Sequence, residues 1–135
     1  MSTLILLALP TMIFLHIVAD FNMQGILAKM KQKEWWDEQT EDEFYKNDYI
    51  VALLAHGLSW SFVVHLPIIA TVALCDKSLG VAGLLISLLA HAAIHAGVDH
   101  DKANRHIINL VADQFLHLVQ IFGIWGVGIL MVYFS

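Results

Sequence analysis

Four apolar runs, each long enough to cross a bilayer, constrain this chain more than any other feature. A hydrocarbon core about 30 Å thick is spanned by roughly 20 helical residues. Residues 4–21, 49–74, 79–98 and 107–134 each meet that requirement within its usual range. Backbone polar groups in lipid must be satisfied within their own segment, which makes such isolated runs helices. The expectation is an all-α polytopic membrane protein, a four-transmembrane-helix bundle forming a single domain over residues 1–135. Composition agrees: 59% of residues are hydrophobic and 14% charged, against about 25% charged in soluble domains. The partner this composition calls for is a lipid bilayer. The first run lacks the basic start and small-residue cleavage site of a signal peptide and carries His16 and Asp20, so it is expected to persist as a helix. Pro67 should kink or shorten the second helix, and residues 107–114 should lie at the interface or require tilt.

Between the first two runs, residues 22–48 hold Lys29, Lys31, Lys33 and Lys46 against seven acidic residues, interrupted by Trp35, Trp36, Phe44 and Tyr45. Aromatics at headgroup level with charges facing water predict an interfacial helix and turn. The other connections, 75–78 and 99–106, are short. Lys and Arg concentrate on one side, six in the first and third connections against Lys77 alone in the second. By the positive-inside rule both termini face the periplasm, and the basic connections face the cytoplasm. A net charge of −5 excludes the basic face that nucleic acid requires. One cysteine, Cys75, excludes an intramolecular disulfide and a Cys-rich zinc site.

Ionisable residues inside the spans cost about 2.5–3.5 kcal/mol each on insertion scales, and persist where they pair, bind metal or line water. Here they are ordered. The first helix reads His16-x-x-x-Asp20, the third His95-x-x-x-Asp99 and the fourth, in reverse, Asp113-x-x-x-His117. Residues four apart share a helix face. Helices one and three run toward the cytoplasm and helix four away from it, so each pair sets its aspartate about one turn, roughly 6 Å, shallower than its histidine. His56, seven residues inside the second helix, falls near the same depth. The expected arrangement is a layer of imidazoles beneath a layer of carboxylates at the cytoplasmic mouth of the bundle.

Neutral imidazole and carboxylate are the ligands of Zn²⁺, and also of Fe²⁺ or Mn²⁺, with zinc favoured for this histidine-rich set. The candidate ligands are His16, Asp20, His56, His95, Asp99, Asp113 and His117. Histidines can ligate one ion with aspartates orienting them, or both layers can ligate a mononuclear or dinuclear centre. A metal-free hydrogen-bond network is the competing reading of any one pair. His65, nine residues from His56, points to the opposite face, where a buried hydrogen bond is expected; His91 sits one turn deeper than His95, and His100 and His106 fall in the third connection. Gln24 and Gln120 are candidate polar partners of the cluster. Gly80, Gly83, Gly97, Gly123, Gly126 and Gly128 are expected to permit close helix approach. There is no phosphate-cradling loop and no G-x-S-x-G nucleophile motif, which leaves metal-assisted chemistry as the enzymatic option.

The run His16-x-x-x-Asp20-Phe21-x-x-Gln24, followed by Leu27-Ala28-x-x-Lys31, resembles the opening of a small bacterial and bacteriophage membrane family known only as a domain of unknown function. Ala55-His56-Gly57, His95-x-x-x-Asp99 and Asp113-Gln114-x-x-His117 are similar to its later motifs, so the resemblance spans nearly the whole chain. It implies a four-helix protein of a bacterial (or phage-host) inner membrane and carries no activity with it. The acidic, tryptophan-containing first connection and the extra histidines His91 and His100 depart from its pattern. A looser likeness of the His/Asp layout to membrane-bound metal-dependent hydrolases is one of fold alone.

Three functions follow as expectations. The first is a divalent-metal protein acting as a hydrolase on a lipid substrate at the cytoplasmic leaflet, with Asp20, Asp99 and Asp113 as general-base candidates. The second is a non-enzymatic protein that engages a host membrane protein through the acidic, aromatic connection. The third is a proton or ion relay, in a monomer or a homo-oligomer; a relay needs polar groups through the full thickness, and the far half offers mainly His65.

Overall fold

The computed structural model describes residues 2–75 and 80–134. Four helices long and apolar enough to cross a membrane form its body, and there is no strand among the described residues. The first, α1 (Ser2–Ile17), ends in a π-helical turn, Val18–Asn22. Two short helices follow, α2 (Leu27–Met30) and α3 (Lys33–Gln39), and then a 3-10 turn, Glu43–Tyr45. The remaining spans are α4 (Asp48–Leu74), α5 (Gly80–Ala103) and α6 (Leu110–Phe134).

The boundaries differ from the sequence reading at two helix ends, for local reasons. Helix α5 runs to Ala103 rather than stopping at 98, so Asp99 and His100 are helical. Helix α6 begins at Leu110 rather than 107, because the Asn109 side chain accepts the Ala112 N–H at 3.0 Å and satisfies a donor left open in the first turn. Pro67 does not shorten α4, which continues to Leu74. Of the second connection only Cys75 is described; the expected turn beyond it, with Asp76 and Lys77, lies outside the described residues.

Helix α4 packs against α1, α5 and α6, and α6 packs in turn against α1 and α5. Met12, Trp60, Val64, Ile68, Ile121 and Val132 fill the centre with no exposure. The outward faces are equally apolar: Leu7, Phe14, Phe62, Leu89 and Phe122 are all exposed. A water-soluble monomer rarely presents an apolar surface on every side, and the same surface is ordinary against lipid.

The α4–α5 contact depends on small residues. A Cβ on Gly57 would meet the Ala92 carbonyl oxygen at 2.5 Å and the Ala96 Cβ at 3.2 Å, so these backbones touch as small-residue membrane interfaces do. Gly83 and Gly128 face the ends of Met131 and Ile68, and Gly123 faces His91 at ordinary contact distance. Gly97 and Gly126 correct the expectation of close approach, since neither has an atom within 4 Å of a built Cβ.

Connection 22–48 is a helix and turn, as its aromatics and charges predict. It is tied to the end of α5: the Lys33 N–H donates to Asn104 Oδ1 at 2.6 Å, and Asn104 Nδ2 donates to the Lys31 carbonyl at 3.0 Å. Trp36 Nε1 donates to the Met30 carbonyl at 2.7 Å, while Phe44 is 82% exposed. This end of the bundle therefore carries its own cover.

Gly57→Val should force α4 and α5 apart and destabilise the protein by about 1–3 kcal/mol, measured by unfolding in detergent micelles, whereas Gly97→Ala should leave stability within about 0.5 kcal/mol.

Candidate metal centre

The covered end of the bundle is where α1 and α5 finish and α4 and α6 begin, and it gathers the ionisable residues. His16, Asp20, His56, His95, Asp99, Asp113 and His117 are all buried. Asp20 lies in the π-helical turn, a distortion of the kind often found at functional sites. Along each helix the aspartates stand nearer the bundle end than the histidines, yet the side chains converge into one cluster rather than two separate layers.

Three imidazoles present Nε2 to carboxylate oxygens. His56 Nε2 is 3.2 Å from His95 Nε2, 3.3 Å from Asp20 Oδ1 and 3.4 Å from Asp99 Oδ2. His95 Nε2 is 3.6 Å and 3.8 Å from the same two oxygens. His117 Nε2 lies 3.4 Å from Asp99 Oδ1, 3.4 Å from Asp113 Oδ1 and 3.9 Å from Asp20 Oδ2. Three overlapping triads have ligand atoms all within 4.8 Å of one another: Asp20–His95–His117, His56–His95–Asp99 and Asp99–Asp113–His117. These buried groups could hold a metal ion.

The spacing has chemical content. Ligands of a tetrahedral zinc with bonds of about 2.0–2.1 Å stand about 3.3–3.4 Å from one another, aimed at a common centre. Asp20 Oδ1, Asp113 Oδ1 and His117 Nε2 are buried with no hydrogen-bond partner among the described residues, although each has a ring nitrogen or carboxylate oxygen nearby. Buried polar atoms are ordinarily paired. Atoms at these separations without hydrogen-bond alignment fit the edges of a coordination polyhedron.

His16 is the sequence candidate that the geometry sets apart. Trp60 Nε1 donates to His16 Nδ1 at 2.9 Å. In a neutral imidazole the proton then resides on Nε2, leaving no lone pair for a metal. His16 belongs to none of the three triads and instead flanks Asp20, with Nδ1 3.5 Å from Oδ2. Trp60 itself went unnoticed in the sequence, though a buried indole N–H needs a partner; its ring also stacks on His95 at 4.2 Å.

Further members were also missed. Lys31 Nζ donates to Asp99 Oδ2 at 2.6 Å, with both side chains buried. Lys102 Nζ donates to Asp113 Oδ2 at 2.7 Å and is 34% exposed. Three clustered carboxylates require counter-charge, and that was the available signal. Gln114 Nε2 bridges Asp20 Oδ2 at 3.2 Å and Asp113 Oδ2 at 3.0 Å. Gln120 stands 3.3 Å from His117 Nδ1; with its amide turned, the otherwise unpartnered Oε1 accepts from Nδ1–H and frees the Nε2 lone pair. Gln24 donates to the Asp20 carbonyl.

The comparisons with known proteins find no match. No family model, no curated protein and no solved structure matches the chain. The chemistry of the centre therefore rests on its own geometry.

The remaining histidines lie elsewhere. His65 is fully buried and makes the expected buried hydrogen bonds, with Nδ1 2.7 Å from the Ser61 carbonyl and Nε2 3.0 Å from Ser87 Oγ, so it faces α5 as His56 does rather than the opposite side. His91 Nδ1 is 2.8 Å from the Ser87 carbonyl and its ring is 5.8 Å from that of His65. The far half is thus more polar than His65 alone implied. His100 stacks on Tyr49 at 5.9 Å, and exposed His106 lies 3.6 Å from Glu34.

Lys31→Met leaves the buried Asp99 carboxylate without its ammonium and should destabilise the protein by about 3–5 kcal/mol. Lys102→Met should cost clearly less, because that ammonium is partly solvated; unfolding of both variants in the same micelles checks the order.

Proposed function

We propose that this chain is a metal-dependent hydrolase embedded in a bacterial inner membrane, the host membrane where its origin is a phage. Its centre lies near the cytoplasmic face and its termini in the periplasm. The carrying observation is that His56 Nε2 and His95 Nε2 stand 3.2 Å apart, each 3.3–3.8 Å from Asp20 Oδ1 and from Asp99 Oδ2. The Lys and Arg asymmetry of the connections supports the orientation. Zinc suits two imidazoles and two carboxylates.

A bound dication supplies a Lewis acid and acidifies its water near neutral pH. The chain's own contributions are distinct. Trp60 fixes the His95 ring by stacking and holds His16 by its N–H. Gln114 orients Asp20 and Asp113, and Asp113, outside the four donors of that approach, is the group able to take a proton from an attacking water. The position of the cluster at the bundle end, beneath connection 22–48, favours a lipid substrate approaching from the leaflet on that side.

Protein purified in mild detergent without chelator should carry at least one equivalent of zinc per chain by elemental analysis. His95→Ala should lose it, while His16→Ala should keep it because His16 has no free lone pair. Metal-free wild-type protein that also fails to take up added zinc would sink the proposal.

One observation favours a proton relay as the second reading. Ser61, His65, Ser87 and His91 form a hydrogen-bonded string in the half of the bundle beyond the centre. Under that reading, vesicles containing the protein show proton flux that His65→Leu abolishes. Under the hydrolase reading no such flux is seen.

A further inference from the structure

We infer that the centre takes two divalent cations, bridged by the carboxylates of Asp20 and Asp99. This deepens the metal-binding reading and rests on it. The donor set is too large for one tetrahedral ion, which takes four ligands: three imidazoles and three carboxylates face one another here. They also spread between two ends. His56 belongs to one triad and Asp113 to another, with no triad holding both, while His95 and His117 meet in the triad they share with Asp20.

Asp20 and Asp99 each turn one oxygen to each side. Asp20 directs Oδ1 to His56 and His95 at 3.3 and 3.6 Å, and Oδ2 toward His117 at 3.9 Å. Asp99 directs Oδ2 to His56 and His95 at 3.4 and 3.8 Å, and Oδ1 to His117 at 3.4 Å. A carboxylate split in this way is a bridge between neighbouring ions, which in two-metal hydrolytic sites stand about 3.5–4 Å apart. On the second side His117 Nε2 and Asp113 Oδ1 are both buried and face each other at 3.4 Å, outside hydrogen-bond geometry.

The two lysines fit the same scheme. Lys31 on Asp99 and Lys102 on Asp113 place one ammonium on each side of the cluster. Two dications exceed the charge of three carboxylates, so the ammonium groups leave as the ions enter, and both side chains start from the interfacial end of the bundle. They are the counter-charges of the metal-free protein.

The test is native mass spectrometry of the full chain, released from micelles after loading with Zn²⁺ alone, with His106→Ala as a control for surface binding. Wild type should hold two zinc ions and His117→Gln one, with helical content by circular dichroism unchanged. His106→Ala should still hold two. One ion in the wild type overturns the bridged pair and leaves the metal-binding reading standing; no ion overturns both. Two ions retained in His117→Gln place the second ion elsewhere and overturn the inference. Should His117→Gln fail to fold, cobalt-loaded wild type decides: an exchange-coupled pair supports the bridge, and two uncoupled ions overturn it.

Discussion

Ionisable groups within an apolar bundle must satisfy one another, and the structure is organised around that constraint. Each of the four spans carries such groups into a medium where an unpaired charge is costly. Each carboxylate has a histidine on its own helix, and the contacts go on to cross all four. Asp20 meets imidazoles from α4, α5 and α6, and Asp99 meets a lysine from the interfacial connection as well as histidines from α4 and α6.

Packing serves the same end. Gly57, Ala92 and Ala96 let α4 and α5 touch, and that approach brings His56 and His95 within 3.2 Å of each other. Trp60, one turn beyond His56, closes the apolar side of the cluster by stacking on His95 while its N–H holds His16. On the other side, Asn104 binds the backbone around Lys31 and Lys33, so the polar centre is covered by chain rather than left open to lipid. Small residues, an indole and a tethered loop together enclose a buried polar cluster in an apolar bundle.

The two polar levels have different characters. The His/Asp cluster combines charge, lone pairs and unpartnered oxygens, which suits a cation. The Ser61–His65–Ser87–His91 string contains no carboxylate, and its His65 nitrogens meet a carbonyl and a hydroxyl, which ties α4 to α5. The two are separate: the groups that could hold a metal ion lie at the covered end, and the string lies beyond them.

The order of residues along the chain determined the four long apolar helices, the short helices and turn within 22–48, and the presence of His and Asp on single helix faces, because hydrophobic length and a four-residue spacing are local properties. Spacing along one helix likewise set His65 apart from the cluster, although it contacts α5 just as His56 does. Other features depended on groups far apart in sequence. Lys31 reaches Asp99 across 68 positions, and Trp60 reaches His16 across 44; no spacing rule connects them. The tertiary structure alone decided that His16 gives up its lone pair to Trp60, that Gly57 rather than Gly97 is the point of contact, and that Asp20 and Asp99 each face two ways. Helix periodicity says which side of a cylinder a residue occupies, but the rotation and approach of neighbouring cylinders, set by packing, decide which atoms meet.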